Sequence, residues 1–202
     1  MPYRETKFFN DCFYHIYNRG VNHSVIFFDP RNYYYFIDKL KQHLTPCSDI
    51  ISYCLMPNHF HLLIRIKDDD KILSSLTKLF LSYSKSINKS KDRTGPLFEG
   101  RYQSKFIAEK EYLLHLTRYI HLNPVRATLV KSPEEWKYSS YQEYIGRRKH
   151  SFIVNDIILE HVKNYKEFVQ NYQQVDKLKI AELLFHRYLE GGGKSPGLIC
   201  LN

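Results

Sequence analysis

The chain has one tryptophan and two methionines in 202 residues, and its four cysteines, Cys12, Cys47, Cys54 and Cys200, form no CxxC pair and keep no even spacing. Neither a disulfide framework nor a cysteine-ligated zinc site is indicated, and a reducing cytoplasm is the expected setting. Glycine is scarce, at eight residues, with the one low-complexity patch at Gly191 to Gly193. No internal repeat is visible. No apolar run approaches the length of about 18 residues that a membrane span needs. The opening MPYRETKFFNDCF lacks the apolar core of a signal peptide. Acidic side chains are outnumbered, 21 against 30 Lys and Arg, for a net charge of +9. That balance favours a polyanionic partner, of which nucleic acid is the commonest.

Apolar and aromatic residues are plentiful. With 43% hydrophobic and 15% aromatic residues, the chain can bury a real core, and its length fits one domain with an appendage or at most two small domains.

CFYHIYNRG reads as a strand rich in aromatic and β-branched residues, ended by Asn18 to Gly20. Asp29 and Pro30 then supply an N-cap and a first-turn proline, and Phe36, Ile37, Leu40 and Leu44 follow at helical spacing, predicting a helix over 31–44. Ile50 to Met56 and His59 to Ile66 are β-type runs separated by the turn formers Pro57 and Asn58, a tight hairpin. Asp70 is a candidate cap for the next helix, whose apolar face carries Ile72, Leu76, Leu79, Phe80, Tyr83 and Ile87. A strand from about Arg101 to Ile107 precedes a helix over roughly 109–122, expected to halt at Pro124. The order β-α-β-β-α-β, then α, predicts an α+β fold: a ferredoxin-like palm on an antiparallel sheet. Residues 1–149 form this domain, 150–190 a helical appendage and 191–202 a flexible tail.

Within MPNHFHLL, His59 and His61 lie two residues apart, so on a strand both point to one face while Phe60 points to the other. Two adjacent neutral imidazoles make a bidentate metal clamp. With ten histidines in the chain, such a pair can also arise by chance, so a third group is needed. EYLLHLTRYIHLNPVRA offers it: Tyr119 and Asn123 are one helical turn apart on a face that also carries Tyr112, Leu113, Leu116 and Ile120. If that face covers the histidines, a phenol and an amide oxygen arrive beside the clamp. The ordinary alternative is that Tyr119, one of 17 tyrosines, is core.

HFH preceded by MPN resembles the histidine–hydrophobe–histidine (HUH) motif of single-tyrosine DNA transposases. More closely, the chain resembles the REP-associated tyrosine transposases. YHIYNRG, the FFD stretch, CLMPNHFHLLI, GPLFEGRYQS, RYIHLNPVRA and WKYSSYQEY occur in that family's order, over about residues 13–146. The resemblance implies a divalent metal held by His59 and His61 with Asn123 as a further ligand. It also implies Tyr119 as a nucleophile that cuts single-stranded DNA near a hairpin. A phenol ionises only at about pH 10, so attack needs a cation to polarise the phosphate. Open positions suit Mg²⁺ or Mn²⁺, though imidazoles alone favour Zn²⁺ or Ni²⁺. The phosphotyrosine keeps the energy of the broken ester, so a 3′-hydroxyl can reverse the step.

For DNA contacts the candidates are Arg19, Arg101, Lys105 and Arg126. His115, one turn before Tyr119, is a candidate proton carrier whose simpler role is packing. The expected partner is single-stranded or hairpin DNA, the assembly a monomer or homodimer, and the location cytoplasmic, with the nucleoid reached through DNA. Two other readings compete: a domesticated hairpin-binding protein that does not cut, and a metal-dependent hydrolase that uses water and leaves no covalent adduct.

Overall fold

Four strands form the sheet: β1 (Phe13–Arg19), β2 (Ser48–Met56), β3 (His59–Ile66) and β4 (Gln103–Ile107). They are ordered β2-β3-β1-β4, and every neighbouring pair is antiparallel. The computed structural model describes residues 7–149 and 152–171. The helices are α1 (Pro30–Leu44), α2 (Asp69–Ser90), α3 (Lys110–Arg126) and three short ones, α4 (Tyr141–Tyr144), α5 (Asp156–Leu159) and α6 (Tyr165–Gln170). The first six major elements, β1-α1-β2-β3-α2-β4, are the ferredoxin-like palm expected from the sequence, and α3 follows.

Strand alternation divides the core into two layers. Tyr14, Ile16, Phe60, Leu62 and Ile64 meet α1 and α2 on one face. Phe13, Cys54, Met56, Leu63 and Ile107 meet α3 on the other, through Tyr112, Leu113, Leu116 and Ile120. The α1 start is a full capping box, Asp29 accepting from the backbone while Asn32 answers, with Pro30 in the first turn. The cap of α2 is Asp68, whose side chain accepts from Lys71 N, and not Asp70, which falls inside the first turn.

α3 corrects a sequence expectation. It runs through Pro124 to Arg126 instead of halting before it. Pro124 has no N–H to offer the Ile120 carbonyl. The Asn123 side chain compensates: its Nδ2 donates to Tyr119 O at 2.9 Å and to Ile120 O at 3.4 Å. The helix therefore keeps its carbonyls satisfied across the proline.

The stretch after α3 covers the free edge of β2. Leu55 N donates to Tyr138 O at 2.9 Å, Ser140 N to Tyr53 O at 3.0 Å and Val154 N to Ile50 O at 2.9 Å. Trp136 Nε1 adds a bond to Leu55 O at 3.0 Å. Edge strands left bare are pairing hazards, and this one is covered by its own chain. Ile158, Tyr165 and Val169 join the same apolar cluster as α3. Of the expected helical appendage, the described part holds α5 and α6. Residues 172–190 of that appendage and the tail over 191–202 lie outside the described residues. Among the described residues no helix is long and apolar enough to cross a membrane.

Candidate nuclease site

Phe60 explains why the two histidines flank it. Its ring is fully buried between Phe36 and Phe80, at centroid distances of 5.3 and 5.2 Å. That anchor fixes the strand's facing, so His59 and His61 must both point to the α3 side. In the ladder His59 stands opposite Arg19 and His61 opposite Tyr17. The two imidazoles meet edge to face, 5.2 Å between centroids.

α3 lies over this face and brings Tyr119 to it. The Tyr119 ring stands 5.7 Å from that of His61 at 78°. His59, His61 and Tyr119 line one cleft of about 680 Å³, together with Tyr17, Arg19 and Gln103 among others. Of the four groups singled out on spacing, His59, His61 and Tyr119 thus share one open space, and Asn123 is not among its lining residues.

Burial lowers the pKa of His59, and lowers that of His61 well below the ordinary range, with His15, His59 and Arg126 adding positive-charge repulsion to the second. Both rings are neutral near pH 7 and hold a nitrogen lone pair. For His59 the hydrogen bonds decide which nitrogen. Asn58 Nδ2 donates to His23 O at 3.2 Å, which turns Asn58 Oδ1 to His59 Nδ1 at 2.7 Å. An amide oxygen only accepts, so Nδ1 carries the proton and Nε2 the lone pair.

The turn behind Asn58 is built for this. Asn22 and His23 both take positive φ, 51° and 57°, and Gly20 N donates to Asn58 O at 2.8 Å. A Cβ on Gly20 would stand 2.0 Å from Ser24 O, so only glycine fits there.

His61 Nδ1 is held differently. It lies 2.9 Å from Nε2 of His15, a residue on β1 that is itself buried. Burial, with Lys105 nearby, lowers the His15 pKa to about 3. The sequence offered a clue to His15: it alternates with Tyr17 and Arg19 along one strand face, as His59 does with His61. What spacing could not supply was the β1–β3 register.

The other expected residues are distributed as follows. Asn123 does not line the cleft; its Nδ2 is spent on α3 carbonyls, which leaves Oδ1 as the atom not engaged with the helix. Arg19 lines the cleft and is ion-paired with Glu99. Arg126 lies over the Tyr119 ring, 4.8 Å from its centroid. Lys105 lies over the Tyr112 ring at 5.2 Å. Arg101 is exposed at the bend before β4. His115 turns to the appendage, with Nδ1 2.7 Å from Arg118, which donates to Phe168 O at 3.2 Å.

Neutral imidazoles with ordered Nδ1 atoms are fitting donors for a divalent cation. Among the described residues no group of three or more His, Cys, Asp or Glu gathers as a metal set. A cation at His59 and His61 would therefore need amide, water or phosphate oxygens for its other positions.

A ferredoxin-like palm whose HUH strand lies beneath a tyrosine-bearing helix is the architecture of the single-tyrosine transposases. Residues 9–123 match the family model "Transposase IS200 like", and the chain belongs to that family. Its fold is similar to that of a REP-associated tyrosine transposase solved bound to a REP hairpin, with a TM-score of 0.58 at 15% identity over 76% of this chain and 90% of that one. A putative transposase from Deinococcus radiodurans R1 is matched at a TM-score of 0.41 and 14% identity, over 59% of this chain and 95% of that one. No curated protein matches the chain.

Proposed function

We propose that this transposase-family chain binds hairpin DNA with a single-stranded flank, cuts the flank through Tyr119 and rejoins it. The cleft shared by Tyr119, His59 and His61 is the observation that carries the reading. Oη of Tyr119 attacks the scissile phosphorus, the bond to the 3′ oxygen breaks, and a 5′-phosphotyrosine and a free 3′-hydroxyl result. The phenol's proton leaves to water, and the departing oxygen takes one from water. A 3′-hydroxyl reverses the step, so strands are joined without an outside energy source. The one tyrosine of RYIHLNP gives each protomer one attack at a time.

His59 and His61 would hold a divalent cation, Mg²⁺ or Mn²⁺, with Oδ1 of Asn123 as a further ligand. When bound, that ion supplies Lewis-acid polarisation and charge neutralisation at the phosphate. Arg126, over the phenol ring, steadies negative charge as it grows on Tyr119. Arg19, Arg101 and Lys105 would meet phosphates of the flank, and Tyr17 offers a ring in the cleft on which an unpaired base can stack.

The hairpin part rests on the resemblance, on the +9 charge and on the fold relative that was solved with a REP hairpin. It is tested by titrating hairpins with and without a single-stranded flank, and a blunt duplex of equal length, at several salt concentrations. The flanked hairpin should bind tightest, with affinity falling steeply as salt rises. Equal affinity for the blunt duplex would remove hairpin recognition from the reading.

A further inference from the structure

We propose that His15 is a positioning residue that holds His61 as its Nδ1–H tautomer, so that Nε2 faces the cleft with its lone pair. This rests on the reading of His61 as a cation ligand. Three observations carry it beyond that reading.

The first is the contact itself. His15 Nε2 lies 2.9 Å from His61 Nδ1, and both rings are buried. Two neutral imidazoles share one proton in such a bond. If His15 accepts, His61 carries its proton on Nδ1 and presents a lone pair at Nε2. If His15 donates, His61 presents an N–H to the cleft and can ligate nothing there.

The second is the rigidity of the pair. His15 is set by strand register opposite Leu63, diagonal to His61. The His15 ring stacks on His61 at 5.1 Å and on Tyr17 at 4.8 Å. The stacks fix the ring planes, and a half-turn of either ring that keeps its plane would put a carbon where a nitrogen now sits and lose the 2.9 Å bond.

The third is the parallel with the other clamp residue. His59 is locked as its Nδ1–H tautomer by Asn58. A clamp needs a lone pair on the nitrogen that each ring has left for the cation; with Nδ1 of His61 held against His15, that nitrogen is Nε2, as it is at His59. Free imidazole side chains favour the opposite tautomer, with the proton on Nε2, so a buried acceptor at Nδ1 is what reverses the preference. The cost is visible in His15. In this arrangement its own proton sits on Nδ1, which is buried and meets no hydrogen-bond partner among the described residues.

The test uses the full chain labelled with ¹⁵N-histidine and free of metal. Long-range ¹H–¹⁵N spectra report the tautomer of each ring, and calorimetric titration with Mn²⁺ reports the clamp. In wild type, His61 should show its proton on Nδ1. His15→Leu removes the acceptor, so the proton should move to Nε2 and Mn²⁺ affinity should fall by about 10- to 100-fold. His15→Gln places an amide oxygen near the former Nε2 and should recover both the tautomer and most of the affinity, which a merely space-filling role would not require. His15→Gln is also the informative variant should His15→Leu fail to fold. A wild-type His61 that carries its proton on Nε2, or a folded His15→Leu with wild-type affinity, overturns the role of His15. His61→Ala serves as the control: if it keeps wild-type Mn²⁺ affinity, the clamp reading itself fails, and the inference falls with it.

Discussion

The Tyr119 ring stands edge-on to His61, 5.7 Å between centroids, though the two residues come from different layers of the fold. Their meeting needs β3 to face its histidines towards α3 and α3 to lie across the same face. Both conditions follow from burial: Phe60 seats one side of β3 in the α1–α2 layer, and Leu116 and Ile120 seat α3 on the other.

His59→Ala or His61→Ala should abolish metal-dependent cleavage while leaving hairpin binding within a few-fold of wild type. Each removes one of two imidazole donors and no phosphate contact. A gel-shift titration beside a cleavage assay in Mg²⁺ checks both halves. Full cleavage by either variant would make the pair structural.

Asn58→Ala should loosen His59 without removing it. The variant loses the acceptor that fixes Nδ1–H and the bond to His23 O. Mn²⁺ affinity should drop about 10-fold or more, with a stability loss of about 1 kcal/mol. Calorimetry and urea melts separate the two effects, and unchanged affinity would contradict the assignment of the tautomer.

Asn123 carries two separable tasks. Asn123→Ala should destabilise the fold by about 1 kcal/mol, because the carbonyl orphaned by Pro124 loses its partner. Adding Pro124→Ala restores the backbone N–H and should recover that stability. Cleavage should stay impaired in the double variant if Oδ1 serves the cation. Recovery of both would leave Asn123 with the helix repair alone.

Acid should weaken the fold. His121 is fully buried between Tyr165 Oη at 2.7 Å and Ser140 Oγ at 2.8 Å, and burial lowers its pKa to about 3. A lowered histidine pKa means that the unfolded chain binds the proton first. Stability therefore falls as pH drops below the unfolded value of about 6.5, by about 1.4 kcal/mol per pH unit for such a group. His15, His59 and His61 push the same way. Urea midpoints should decline from pH 7.5 to pH 5, and less so in His121→Gln. A midpoint that rises on acidification would contradict the buried neutral state.

Much of this was legible because it is periodic. The i, i+2 spacing put His59 and His61 on one face, and the i, i+4 spacing put Tyr119 near Asn123, whatever the tertiary structure. Local chemistry was less decisive. Asp68 and Asp70 are both good caps, and only the observed bond to Lys71 N chose between them. Pro124 reads as a stop by its own chemistry, and the repair by Asn123 depends on a side-chain rotamer that no pattern encodes. Of the contacts distant in sequence, the meeting of Tyr119 with the histidine pair was legible through the family resemblance, and others were not. The partnership of Arg19 with Glu99 and of His15 with His61 depends on strand register and loop path.

The most direct test of the central claim is a denaturing gel of the protein incubated with a flanked hairpin oligonucleotide and Mg²⁺, with the DNA labelled first at one end and then at the other. Label on the 3′ side of the cut should migrate with the protein, the 5′ fragment should run free with a 3′-hydroxyl, and Tyr119→Phe should fold, bind and give no adduct. An adduct in Tyr119→Phe, cleavage without any adduct, or 5′-fragment label travelling with the protein would contradict attack by Tyr119.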